Sequence, residues 1–202
     1  MSDGHDGARQ RIYLSNTPRN LILVMNLDGN VMKRLGRARD GSGHGEFEEP
    51  TDIAINHEHV FVLDARGTRV HMMDHDGNVR RSFPIPHGAD PNMNRENGLG
   101  TDRDGNVYVS SFHSSMVRIF RDDGQLLSVF GRPGHSAGEF VCPAGLWIDS
   151  GNRLYVADPG NGRVPLFQLK ATDAAVLPRR RPRRPQVDIQ RPPKRKNTLM
   201  EQ

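Results

Sequence analysis

The sequence has a single cysteine and no long apolar run, and each shortage excludes a class of protein. Cys142 is the single cysteine among 202 residues, so the chain cannot form an internal disulfide framework or a cysteine-rich metal cluster. No stretch approaches the roughly 20 apolar residues of a membrane-spanning helix. Residues 1–10 contain no apolar run of the kind a secretory signal needs. We therefore expect a cytoplasmic protein that does not insert into a membrane.

Glycine and proline are abundant instead, with 21 and 14 residues that fall mainly between short apolar segments. Such a composition is typical of a β-fold with many turns. A chain of this length can form one sizeable hydrophobic core, so we expect one main domain.

The chain repeats itself four times. Each copy contains a short apolar segment with an aromatic residue at its second position, and these aromatic residues are Tyr13, Phe61, Tyr108 and Tyr155, at spacings of 48, 47 and 47 residues. A second apolar segment follows and ends in an Asp-Gly pair in three copies: Asp28-Gly29, Asp76-Gly77 and Asp123-Gly124. Asp-Gly is the preferred two-residue hairpin connection, because glycine, and aspartate at lower cost, accept the positive φ that primed turns require.

Two further short segments complete a unit of four antiparallel strands. One follows each Asp-Gly turn, at 30–35, 78–83 and 125–130, and one precedes the aromatic strand of the last three copies, at 51–55, 98–101 and 145–148. Four short strands that recur every 40 to 50 residues are typical of the blades of a β-propeller. An open sandwich is disfavoured, because nothing in a sandwich would hold the period to within one residue.

The copies contain three, four, four and three predicted strands, or about three and a half blades. The sequence therefore predicts an all-β fold, an incomplete propeller ring over 11–170. Residues 1–10 are predicted to be a disordered N-terminus, and 171–202 a disordered tail rich in proline and arginine.

Three segments resemble the NHL repeat. Residues 45–50 (Gly-Glu-Phe-Glu-Glu-Pro) and 138–143 (Gly-Glu-Phe-Val-Cys-Pro) each lead into a strand, and 154–164 (Leu-Tyr-Val-Ala-Asp-Pro-Gly-Asn-Gly-Arg-Val) is the most specific match. The resemblance implies a propeller that normally closes with six blades. A fragment of a longer chain, two copies that complete one another and an open arc all remain open.

The resemblance also implies where a site could lie. Amidating lyases, which are similar propellers, place zinc-binding histidines just after the lead-in proline, at the positions of Thr51, Asn97 and Ala144 here. None of these is histidine, so a zinc lyase is disfavoured, and the three residues are predicted to line the central funnel as binding positions. Most of the nine histidines fall in turns and loops, and we expect them to be solvated.

Residues 97–99 (Asn-Gly-Leu) resemble a metal-holding element of gluconolactonase-like propellers. In that interpretation Asn97, with Asp52 as the nearest carboxylate candidate, would help to hold one divalent cation, Ca²⁺ or Zn²⁺. A calcium site needs six or more oxygen ligands and the sequence names only these two, so the favoured interpretation is that Asn97 opens a strand and that the protein needs no cofactor.

The C-terminal segment carries most of the basic charge. Residues 178–202 contain nine basic and two acidic residues, so they carry +7 while the rest of the chain carries −3. Contact with nucleic acid or an anionic surface is therefore predicted through the tail only. The alternatives are a nuclear-import signal, a solubilising tail and a frame-altered terminus that replaces the missing blades. The residues of this predicted electrostatic contact are Arg179, Arg180, Arg181, Arg183, Arg184, Lys194, Arg195 and Lys196.

The sequence thus favours a non-catalytic scaffold that binds a protein or peptide through its propeller loops and funnel face. Self-association that completes the ring is a further expectation. The alternative is a divalent-cation-dependent hydrolase or lyase, active only in a complete or dimeric ring, and bound metal would distinguish the two. RNA binding, known for some NHL domains, is disfavoured by the acidic body.

Overall fold

The computed structural model describes residues 10–36, 46–66, 68–86, 96–170 and 187–188. These residues form four antiparallel sheets in which strands that follow one another in sequence also pair. Sheet 1 contains β1 (Ile12–Asn16), β2 (Leu21–Met25) and β3 (Val31–Leu35), and sheet 2 contains β4 (Pro50–Ile55), β5 (Val60–Asp64), β6 (Arg69–Met73) and β7 (Val79–Pro84). Sheet 3 contains β8 (Glu96–Thr101), β9 (Val107–Ser111), β10 (Met116–Phe120) and β11 (Leu126–Phe130), and sheet 4 contains β12 (Leu146–Ile148), β13 (Arg153–Val156), β14 (Leu166–Leu169) and β15 (Val187–Asp188).

The three predicted hairpins are confirmed, but their turns are not the predicted two-residue primed type. The N–H of each Asp-Gly glycine donates to the carbonyl three residues earlier, at Asn26, Asp74 or Arg121, and within each Asp-Gly pair the glycine alone has a positive φ. Gly29, Gly77 and Gly124 have φ angles of 82°, 82° and 88°, the left-handed region that glycine enters without steric cost. Each connects the last two strands of its sheet, so the turns recur with the sequence period.

One strand count was wrong. We predicted three strands in the last copy, but Val187–Asp188 pairs with β14 and gives sheet 4 a fourth strand. These two residues lie within the range predicted to be a disordered tail. The strand contains only two residues and follows 17 residues after β14, outside the repeat, so no periodic pattern could reveal it.

The core of the described residues consists of three apolar clusters, and each cluster lies between two consecutive sheets. In sheets 1 to 3 the repeated aromatic side chain packs toward the following sheet, and in sheets 2 to 4 the apolar residues beside it pack toward the preceding sheet. Phe61 shares a cluster with Val107 and Val109, and Tyr108 shares the next cluster with Leu154 and Val156. Alternate side chains of a strand point to opposite faces, so burial on both faces requires a sheet on each side.

A buried carboxylate fixes the lead-in segments of sheets 2 and 4. Asp64 Oδ1 accepts hydrogen bonds from the backbone N–H groups of Glu48 and Glu49 at 2.9 and 2.7 Å, and Asp158 Oδ1 accepts one from Val141 at 2.7 Å. Asp158 also pairs with Arg163 at 3.0 Å. The two carboxylates occupy the same repeat position, three residues after the aromatic.

No helix in the described ranges is long and apolar enough to cross a membrane.

Candidate functional site

The three predicted funnel residues lie at or just before the first strand of sheets 2, 3 and 4. Thr51 is the second residue of β4, Asn97 is the second residue of β8, and Ala144 lies two residues before β12. The backbone carbonyls of Thr51 and Ala144 accept hydrogen bonds from Ser15 and Ser110, which occupy equivalent positions in the preceding sheets. These hydrogen bonds therefore connect sheet 1 to sheet 2 and sheet 3 to sheet 4. That Thr51, Asn97 and Ala144 bind a partner stays a prediction.

Asp52 joins two sheets as well. Its Oδ1 accepts the Ile53 backbone N–H, and its Oδ2 accepts the Leu99 backbone N–H of the next sheet, both at 2.8 Å. Burial raises the pKa of Asp52 although these two hydrogen bonds oppose the shift. Within the described ranges, no three His, Cys, Asp or Glu side chains gather into a group that could hold a metal ion.

The prediction that the histidines are solvated was wrong for His71. Its side chain has 0% exposure, its Nδ1 lies 2.8 Å from Ser82 Oγ, and its Nε2 lies 3.4 Å from Asp64 Oδ2. Serine, histidine and aspartate also form catalytic triads, but a nucleophile needs access to substrate. His71 and Asp64 are both fully buried, and the Phe47 ring and the imidazole pack nearly perpendicular to each other with centroids 5.2 Å apart. His71 and Asp64 are therefore part of the core, and Ser82 lies half-buried beside them.

Asp64 is held in its charged form inside this core. Burial opposes ionisation, but hydrogen bonds from His71, Glu49 and Glu48 outweigh it and keep the pKa of Asp64 below its usual value. A buried carboxylate with several donors stabilises the segments that supply them.

The predicted basic contact residues between Arg179 and Lys196 lie outside the described residues. The prediction of a nucleic-acid or anionic-surface contact through them remains a prediction.

An apolar face that the sequence analysis missed lies on the outward side of sheet 1. Ile12 and Leu14 are 40% and 48% exposed, whereas the residues at the same repeat positions in sheets 2, 3 and 4 all have 0% exposure: Val60 and Val62, Val107 and Val109, Leu154 and Val156. Residues directly opposite in antiparallel strands share a face. The strand register places Leu21, Leu23 and Met25 of β2 on the same face as Ile12 and Leu14. We call these five residues the first end face.

A second apolar face lies on the outward side of sheet 4. Trp147 pairs with Tyr155 and Tyr155 pairs with Leu166, so the three side chains form a row across β12, β13 and β14. Trp147 is 61% exposed and Leu166 is 41% exposed. The rings of Trp147 and Tyr155 lie 5.3 Å apart between centroids, with a tilt of 32°. We call these three residues the second end face.

The repeat register contained the signal for both faces. A position that is apolar in all four copies needs a sheet beside each copy, and the first and last of the four described sheets have a neighbour on one side only. An open arc was one of the alternatives that the sequence left open, but no residues were assigned to the faces that such an arc leaves uncovered.

Comparison with known proteins defines the fold. No protein-family model matches the chain. Among solved structures, virginiamycin B lyase from Staphylococcus aureus is similar, with a TM-score of 0.58 and 15% identity over 77% of this chain and 48% of that one. U3-55K gives a TM-score of 0.61 and 15% identity over 80% of this chain and 46% of that one. The WD40 β-propeller domain of Doa1 gives a TM-score of 0.55 and 15% identity over 76% of this chain and 45% of that one.

The described chain is therefore an open arc of β-propeller sheets, as predicted. It spans about half the length of the solved structures that it matches. Identities this low establish the fold alone.

Proposed function

We propose that this chain is a partial propeller of the NHL type that acts as a non-catalytic module for binding protein partners. The NHL assignment is supported by the matching lead-in segments and by the ion pair of buried Asp158 with half-buried Arg163, which fixes one of them. The same carboxylate position recurs at Asp64.

The observation that carries the proposal is the exposure of Ile12 and Leu14 at positions that are fully buried in the other three sheets. Each square ångström of apolar surface in water costs about 25 cal/mol, so a contiguous apolar face favours a partner. Faces of this kind mark protein interaction sites. The second end face adds Trp147, and tryptophan is enriched among residues that dominate binding energy.

We place the main contact on the end faces, and not on the loops and funnel face that the sequence favoured. Three further contacts remain proposed at or just before β4, β8 and β12: Thr51, Asn97 and Ala144. The basic residues between Arg179 and Lys196 remain proposed as an electrostatic contact that strengthens binding to an acidic surface.

The divalent-cation enzyme is the second candidate. Both oxygens of Asp52 are engaged by backbone N–H groups. Virginiamycin B lyase and hydrazine synthase, two similar enzymes, are too distant in sequence to transfer an activity.

The test is quantitative affinity purification with the full chain and two variants. Leu14→Asp puts a charge on the first end face, whereas Leu27→Asp makes the same change at a residue that is 63% exposed in the turn between β2 and β3, outside both end faces. A protein retained by the wild type and by Leu27→Asp, lost with Leu14→Asp and bound again when purified supports the proposal. Equal retention of every captured protein by Leu14→Asp and Leu27→Asp would refute it.

A further inference from the structure

The two end faces carry the two halves of the interface that already joins neighbouring sheets. Between sheets 3 and 4, Tyr108 packs in one cluster with Leu154 and Val156. In the repeat register Tyr155 corresponds to Tyr108, while Ile12 and Leu14 correspond to Leu154 and Val156. The second end face therefore presents the aromatic half of this interface, and the first end face presents the aliphatic half.

The same arrangement occurs at the other two junctions. Phe61 packs with Val107 and Val109, and Tyr13 packs against the cluster that contains Val60 and Val62. Three consecutive junctions thus place an aromatic residue against two aliphatic residues of the next sheet. Tyr155 against Ile12 and Leu14 would be the fourth such junction, but in the described arc these residues lie at opposite ends of one chain.

Trp147 fits this fourth junction and none of the others. The residue paired with the aromatic is small in the interior sheets, where it is Ala54 or Gly100, and it is tryptophan in sheet 4. A Cβ on Gly100 would lie 2.5 Å from Leu146 Cδ1, because the first strand of the next sheet presses against this position. The described residues of sheet 1 begin with β1, the strand that carries the repeated aromatic, and include no strand before it. An indole placed against sheet 1 therefore meets no described strand at the position where Leu146 meets Gly100.

We propose that the partner of the end faces is a second copy of this chain, bound head to tail. The second end face of each copy packs on the first end face of the other, and two such junctions close a ring of two chains. This inference rests on the proposed function and names its partner. Contacts between different surfaces form closed rings when the rotation between subunits permits it.

The size of the described arc suits closure by two copies. The matched part of this chain covers 48% of one similar propeller chain and 46% of another, so two such arcs match about one whole propeller in length. A ring of two arcs would contain eight sheets, which exceeds the six blades that the NHL resemblance implies but lies within the range of about four to eight blades typical of propellers. The proposed junction also continues an interface that the chain already forms three times.

The single tryptophan provides a direct test on the unmodified chain. Trp147 is the only tryptophan and is 61% exposed in the isolated arc. Light scattering across a dilution series should give twice the 22.6 kDa mass of the chain at high concentration. Trp147 emission should move to longer wavelength as dilution dissociates the ring.

Two variants test which faces meet. Leu14→Asp and Trp147→Asp should each raise the dimer dissociation constant at least about 30-fold, the loss typical of a central interface residue. Leu27→Asp, the matched control, should leave it unchanged. An equimolar mixture of Leu14→Asp and Trp147→Asp should associate more tightly than either variant alone, because their two unaltered faces form one intact junction. Circular dichroism of each variant checks its fold, and the wild-type dilution series remains decisive if a variant unfolds.

Several results would overturn the inference. A monomer at every concentration excludes it, and a dimer that Trp147→Asp leaves intact indicates a symmetric contact through one face. A mass that keeps growing with concentration excludes the closed ring. If the chain is monomeric but still loses a captured protein with Leu14→Asp, the second copy is rejected while the proposed function stands. If neither dimerisation nor the capture of a protein depends on Leu14, the second-copy inference and the proposed function are both rejected.

Discussion

Tyr155 occupies in sheet 4 the position that Tyr108 holds in sheet 3, and each tyrosine hydroxyl donates to an aspartate six residues earlier, Asp149 at 3.2 Å and Asp102 at 2.9 Å. Tyr108 is buried against the next sheet, whereas Tyr155 lies on the second end face beside Trp147. The same local structure is thus built at both positions, and only the neighbouring sheet differs. This contrast makes equivalent residues of different sheets natural pairs for mutational tests.

Gly98 and Gly145 form one such pair. A Cβ on Gly98 would lie 2.6 Å from the Ala144 carbonyl and 2.8 Å from the Leu146 nitrogen, whereas no described atom lies within 4 Å of a Cβ on Gly145. We expect Gly98→Ala to lower the free energy of unfolding by about 1–3 kcal/mol, because the backbone of the next sheet must move. Gly145→Ala should change it by less than about 0.5 kcal/mol. Urea denaturation measures both, and equal effects would show that the sheets do not approach closely at Gly98.

The buried carboxylate of sheet 4 should contribute strongly to stability. We expect Asp158→Asn to cost about 1–3 kcal/mol, because it removes the charge that pairs with Arg163 and weakens the hydrogen bond from Val141. Asp28→Asn is the control, since Asp28 is exposed and Asn-Gly suits the same hairpin. Denaturant unfolding of both variants should show the loss for Asp158 only. A similar small effect at the two positions would contradict the structural role of Asp158.

Asp64 should make stability depend on pH. Its pKa is lower in the folded chain than in the unfolded one, so its contribution is complete above the unfolded value of about 3.9 and is lost as pH falls through the folded value. The stability gap between wild type and Asp64→Asn should therefore begin to narrow below about pH 5 and should keep narrowing as pH falls through the folded pKa. Thermal unfolding at a series of pH values measures this gap.

Asp52 should give the opposite pH dependence of stability in the same experiment. Burial raises its pKa in the folded chain, so its contribution is present below the unfolded pKa and is lost as pH rises through the folded value. Relative to Asp52→Asn, the wild type should gain stability as pH falls. A gap that changes in the same direction for Asp52 and Asp64 would contradict the pKa shift of one of them.

The divalent-cation hypothesis can be tested by ligand-linked stability. A cation that binds the folded chain raises its melting temperature, and about 100-fold excess over the dissociation constant adds about 2.7 kcal/mol. We expect no increase with Ca²⁺ or Zn²⁺ at either end of the concentration range in which the chain associates. An increase that Asp52→Asn and Asn97→Ala both abolish would establish the cation site implied by the gluconolactonase-like resemblance.

The sequence predicted most of the fold because the repeat is carried by local signals. The aromatic of each copy and the Asp-Gly turns fix strand order and hairpins without knowledge of distant contacts. The sequence could not reveal β15, because two residues outside the repeat contain no periodic pattern. It placed His71 in solvent because its burial depends on Asp64 and Ser82, which join it only after three strands have paired.

The candidate site was harder to predict than the fold. Thr51, Asn97 and Ala144 were chosen by resemblance to propellers that bind a ligand at the funnel. Ile12 and Leu14 look like ordinary core residues in the sequence, and only the three-dimensional order of the sheets shows that the core beside them is incomplete.

The position of the three clusters between sheets also determines how the chain should unfold. Each interior sheet is held by two clusters, whereas sheets 1 and 4 are each held by one. In such a linear array stability is close to a sum of nearest-neighbour terms, and opening begins at the termini. Backbone amides of sheets 1 and 4 should thus exchange with solvent before those of β5 and β9. Closing the ring would remove this difference, because every sheet would then have two neighbours.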